Sequence, residues 1–134
     1  MKEINVEKVT EALEKACGEI AVDYAPDIIA ALQKGAQQET GERSIAAMNM
    51  LLQNAEIAHQ DRTPICQDTG MAIVWLQVGQ DVHFVGGSIQ EAIQKGIAEG
   101  YTNNYLRASV VDDPLYERKN TKTNTPAVIH TQIV

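Results

Sequence analysis

Met71-Ala72-Ile73-Val74-Trp75-Leu76-Gln77-Val78 is the stretch on which the fold turns. It is a short, nearly continuous apolar run with β-branched and aromatic members, which fits a strand buried on both faces. Gly79 and Gln80 follow as a turn, and residues 81–85 alternate as a second, half-exposed strand. Residues 71–85 are therefore expected to form a β-hairpin.

Upstream of this run the apolar period is helical. Val6, Val9, Leu13, Cys17 and Ile20 recur at spacings of three and four, which places them on one face of a helix with Glu7, Glu11, Glu14 and Lys15 turned to water. A second helix is expected after Asp23, with Pro26 in its first turn and Ile28, Ile29 and Leu32 facing inward; Gly35 weakens its end. A third follows Gly41, carries Ile45, Met48, Leu52 and Ala55 on one side, and runs to about Gln60 before Pro64 forbids continuation.

Downstream, Gly86-Gly87 ends the second strand. Ser88 and Glu91 then stand three apart as a capping box at a helix start. That helix presents Ile89, Ala92, Ile93, Gly96, Ile97 and Gly100 inward. Two glycines one turn apart weaken a helix, so they are expected to admit the close approach of another backbone. Residues 117–125 contain no apolar side chain and read as a loop, and residues 126–134 read as a strand. Together these elements predict an α+β domain, with N-terminal helices followed by mixed strands and a capped helix. An apolar strand with no turn or polar tail after it leads us to expect that the 134 residues are one incomplete N-terminal domain of something larger.

Composition removes several function classes. A formal charge of −7 with one Trp and one Phe argues against nucleic acid, which demands clustered cations and stacking aromatics. No apolar run approaches the roughly 20 residues of a membrane span. MKEINVEKV has no apolar stretch behind its first lysine, so no secretory or transit signal is visible and a cytoplasmic location is expected. In that setting a disulfide between Cys17 and Cys66 is not expected.

Cys17 lies on the apolar helical stripe and reads as core. Cys66 sits in the loop Pro64-Ile65-Cys66-Gln67-Asp68-Thr69-Gly70, at the mouth of the apolar run, where polar groups are held close together. Its spacing alone favours a small buried hydrophobe, because no CxxC accompanies it; a ligand or a redox thiol remains open. Gln67 and Asp68 read either as an Asx-type turn or as substrate contacts. Arg107 suits a bidentate carboxylate contact and equally a helix C-terminus. Arg118, Lys119, Asn120 and Thr121 form a second polar group that could close over a substrate or simply be an exposed loop. His59, His83 and His130 match no common zinc spacing and read as structural or surface residues.

The ordered series PICQDTG (64–70), GQDVH (79–83), GGS (86–88), GYTNNYLR (100–107), SVVDDPL (109–115) and RKNTKTNTPAVIH (118–130) resembles the α subunit, or N-terminal region, of the class I iron–sulfur fumarases and the related tartrate dehydratases. The likeness runs from about Asn54 to the end of the chain. It implies a hydro-lyase acting on a dicarboxylate, fumarate/malate or tartrate, with a 4Fe–4S cluster held by three cysteines and one iron open to substrate; the alternative is a non-catalytic fragment or assembly domain of that family. It matches Cys66 to the first of those ligands and puts the others in a β subunit or C-terminal region, within a homo- or hetero-oligomer. It also implies substrate contact for Gln67, Asp68 and Arg107, and an acid–base part for Asp68.

Overall fold

The computed structural model describes residues 1–68 and 70–134. Eight elements follow in chain order: β1 (Lys2–Asn5), α1 (Glu7–Val22), α2 (Pro26–Gln38), α3 (Glu42–Asp61), β2 (Ile73–Val78), β3 (Val82–Val85), α4 (Ile89–Asn103) and β4 (Val128–Ile133). The chain is an α+β protein that gathers into two compact units. One comprises Met1–Gly18 with Gln67–Val134, the other Glu19–Cys66.

In the unit Glu19–Cys66, Pro26 opens α2 at a position where its missing N–H costs nothing. Gly35 lets α3 come close, since a methyl group there would sit 2.6 Å from Met48 Cε. Helix α3 ends as Arg62 enters the left-handed region at φ 53° and donates its N–H to the Ala58 carbonyl. Ala55 and Ala58 are the buried positions of α3, whereas α2 buries none. The expected inward faces are thus only half realised: Ile20 is 75% exposed and Ile28 44% exposed. A layer of two helices and one helix end encloses too little volume to cover every apolar stripe.

In the other unit, the predicted hairpin does not form. Strand β2 pairs parallel with β4 in the register Ile73↔Val128 to Val78↔Ile133, and β3 pairs parallel with β1 from Lys2↔Val82 to Asn5↔Val85. A tight turn does close at Val82 N–H to Gly79 C=O, 3.0 Å, but it hands the chain from one sheet to the other. Parallel pairing needs a long crossover: α1, α2, α3 and β2 lie between β1 and β3, and β3 with α4 lies between β2 and β4. Strand β1 escapes the periodicity analysis because Ile4 is its one apolar residue, too few to display a period of two.

Nor is β2 buried on both faces. It alternates, with Ile73 57% and Trp75 76% exposed, because its sheet has two strands and is covered on one side. On the open side Trp75 stacks on His130 with ring centroids 4.2 Å apart. The covered side meets Cys17, Ile97 and Ala127, with Leu13, Ala72, Val74, Tyr101 and Leu106 packed around them. The glycine reading of α4 holds: a methyl group at Gly96 would lie 2.6 Å from the Thr10 carbonyl oxygen, and one at Gly100 2.6 Å from Cys17 Cβ. Ser88 caps α4 by accepting the Glu91 N–H at 3.4 Å. Among the described residues no helix is long and apolar enough to cross a membrane.

Candidate functional site

Pro64 stops α3 from continuing, and the chain after it is tied back locally. Ile65 donates its N–H to the Ala21 carbonyl at 2.8 Å, and its own carbonyl accepts from Asn54 Nδ2 at 2.9 Å. Cys66 therefore stands on an anchored neighbour. It is a free, exposed thiol, which removes the reading of Cys66 as a small core residue. Cys17 is the reverse case: it is 4% exposed in the core, and burial pushes its thiol pKa up, so it stays protonated and inert.

Cys66 is the last residue of one compact unit, and Gln67 and Asp68 begin the second stretch of the other. Both side chains are exposed. The Asp68 carboxylate folds over Gly70, so that a methyl group at position 70 would lie 2.6 Å from Asp68 Oδ2. The Gly70 carbonyl in turn accepts from Asn124 Nδ2 at 3.1 Å and from Ser109 Oγ at 3.4 Å. Asn124 is fully buried, and its Oδ1 accepts the N–H groups of Ser109 and Val110 at 2.8 and 3.0 Å.

Tyr101, from the last turns of α4, completes this cluster. Burial raises its phenol pKa; the Asn124 side chain opposes that, and repulsion from Cys17, at pH high enough to ionise that thiol, and from Asp68 adds to it. The Tyr101 phenol thus senses both Asn124 and Asp68. Sequence reasoning missed both Asn124 and Tyr101. The available signal was the asparagine in an otherwise featureless polar run, a residue type that tolerates the left-handed φ of 55° found there.

The polar stretch after α4 is an irregular antiparallel hairpin. Thr121 N–H meets Val110 C=O at 3.0 Å, Asp112 N–H meets Lys119 C=O at 2.8 Å, and Val111 bridges Asn120. Asn120 Nδ2 donates to the Ala108 carbonyl at 2.9 Å. Arg118, Lys122 and Asn124 all hold positive φ, a conformation that side chains with a Cβ adopt at some cost. A cleft of about 630 Å³ lies against this hairpin, with Lys119, Asn120, Thr121 and Lys122 on its wall. Arg118 is not among its lining residues, so the expected polar group is only partly gathered.

Arg107 is exposed, two residues before Ser109. Among the described residues no hydrogen bond or ion pair joins its guanidinium to Gln67 or Asp68. The histidines are spent elsewhere: His59 contacts Asp23 at 2.5 Å, His130 stacks on Trp75, and His83 is exposed on β3. No group of three or more His, Cys, Asp or Glu side chains among the described residues is placed to hold a metal ion. Thr69 lies outside the described residues.

Residues 10–134 match the family described as fumarate hydratase (Fumerase). A putative L(+)-tartrate dehydratase subunit alpha from Methanocaldococcus jannaschii is 31% identical over 118 residues, which is 87% of this chain and 41% of that protein. The anaerobic class I fumarate hydratase of Escherichia coli is 38% identical over 68% of this chain and 17% of its own length. The mitochondrial fumarate hydratase 1 of Leishmania major is 41% identical over 59% of this chain and 14% of its own. The chain thus spans less than half the length of these relatives, and it belongs to the fumarate hydratase (Fumerase) family.

Proposed function

We propose that this chain is the substrate-binding and first-ligand portion of an iron–sulfur hydro-lyase that adds water reversibly to fumarate to give malate. The observation that carries the reading is the exposed Cys66 followed directly by Gln67 and an Asp68 whose carboxylate is packed against an anchored Gly70. A lone exposed thiolate fits one corner of a 4Fe–4S cluster and not a whole one. The remaining ligands then belong to a β subunit or further polypeptide, in keeping with relatives whose names call them an alpha subunit.

When bound, such a cluster supplies Lewis acidity at the substrate hydroxyl. Everything else is asked of side chains. Arg107 holds one substrate carboxylate through its planar fork, and the Gln67 amide donates to the other. Asp68 moves the proton at the carbon next to a carboxylate, a task that depends first on geometry.

A second reading is dehydration of tartrate, favoured by the longer match to a protein named as tartrate dehydratase subunit alpha than to those named fumarate hydratase. One experiment addresses both. The chain is reconstituted anaerobically with iron and sulfide in the presence of its completing polypeptide, and visible absorption, fumarate hydration and tartrate dehydration are recorded for wild type and Cys66→Ala. Cluster absorption and one of the two activities should appear together and be lost together in Cys66→Ala. Cluster absorption that survives Cys66→Ala overturns the ligand role.

A further inference from the structure

We infer that Gly70 and Asn124 are positioning residues that fix the direction of the Asp68 carboxylate, Gly70 by leaving the space the carboxylate occupies and Asn124 by holding Gly70 still. The inference deepens the hydro-lyase reading, on which it rests for the importance of Asp68.

The space above Gly70 is already occupied. A methyl group there would approach Asp68 Oδ2 to 2.6 Å and Asp68 Cγ and Oδ1 to 3.4 Å, and Asp68 provides all three of its nearest neighbours. The atoms displaced by Gly70→Ala would be the far end of an exposed side chain, so the substitution moves the carboxylate while sparing the fold.

Asn124 acts from the opposite side. A purely structural asparagine at this left-handed position would be accounted for by Oδ1, which satisfies the Ser109 and Val110 N–H groups. Its amide nitrogen goes further and pins the Gly70 carbonyl, a contact that Ser109 Oγ reinforces. Full burial keeps this cross-link out of competition with water. Asp68 adds to the raised pKa of the Tyr101 phenol, so that phenol offers a readout of the carboxylate.

The test compares Gly70→Ala, Asp68→Asn and the double variant in two ways. In the completed assembly, Gly70→Ala is expected to keep its melting temperature within about 3 °C, lower kcat about tenfold or more, and leave KM within about threefold. On the Asp68→Asn background it should lower kcat by less than about twofold, since no carboxylate is left to misplace. In the 134-residue chain, the Tyr101 phenol midpoint, read by NMR of ring-labelled tyrosine, should fall in Asp68→Asn and shift in Gly70→Ala. An assembly without hydratase or dehydratase activity would sink the functional reading and leave the tyrosine comparison to decide the positioning. A Tyr101 midpoint unchanged by Gly70→Ala, or equal kcat losses on both backgrounds, overturns the inference.

Discussion

Asn124 Nδ2 donates to the Gly70 carbonyl oxygen across 3.1 Å and 54 positions of chain, joining the polar loop before β4 to the segment that follows Cys66. Its fully buried side chain also satisfies two backbone N–H groups, at Ser109 and Val110. Asn124→Ala would remove the acceptor of those two N–H groups and force a Cβ-bearing residue with no side-chain acceptor to hold a φ of 55°. Unfolding in denaturant should show a loss of about 2–4 kcal/mol, from unsatisfied buried groups and backbone strain together. A loss below about 0.5 kcal/mol, the range of an indifferent surface change, would contradict the contacts described.

The two cysteines should separate cleanly under a thiol reagent. Cys66 is exposed, whereas Cys17 is buried with a raised thiol pKa. Native chain at neutral pH should take up one equivalent of label quickly, at Cys66, and the second at least about tenfold more slowly. Peptide mapping that finds Cys17 labelled first would reverse the assignment of core and site.

Close packing of α1 on α4 predicts a sharp contrast between glycines. Gly96→Ala drives a methyl group to 2.6 Å from the Thr10 carbonyl oxygen, a backbone atom that cannot step aside. It should cost about 1–3 kcal/mol in spite of the helix propensity gained. At Gly79 a methyl group finds its nearest neighbour at 3.8 Å, so Gly79→Ala should change stability by no more than about 0.5 kcal/mol. Paired denaturation curves decide between them.

Replacing Arg107 by lysine keeps the charge and removes the planar fork. If the guanidinium holds a substrate carboxylate, KM for the dicarboxylate should rise about tenfold, near 1.4 kcal/mol, with kcat changed less. Steady-state kinetics on the completed assembly give the answer. An unchanged KM would return Arg107 to the helix-terminus role its position also suits.

Asp23 links the unit Glu19–Cys66 to pH. Its hydrogen bond with His59 is the main cause that holds its pKa below the ordinary carboxylate value of 3.8; burial opposes this, and the hydrogen bond with Arg62 adds to the lowering. A depressed folded-state value means that the contribution to stability is complete above that ordinary value and is lost as pH falls through the lower, folded one. Melting temperatures measured from pH 6 down to about pH 2 should therefore fall less steeply in Asp23→Asn than in wild type. The carboxylate is exposed, so added salt should shrink the difference. Parallel curves for the two proteins would remove Asp23 from the acid response.

The amino-acid sequence by itself determined the features that depend on neighbours along the chain. Helices α1, α3 and α4, the Ser88 cap, the proline stop before Cys66 and the paired glycines of α4 all rest on local periods and caps, and they stand where those signals put them. The place of Cys17 in the core followed in the same way from its spacing to Leu13. Tertiary structure alone decided which strands pair. Two apolar runs joined by a short turn satisfy the local rules for a hairpin, yet β2 gains more by lying beside β4 with one face on Ile97 and Cys17. Exposure of Trp75 and Cys66, and the reach of Asn124 to Gly70, were hidden for the same reason. Burial and long-range hydrogen bonds depend on which distant segments meet, and no period or cap in one stretch of sequence encodes its partner.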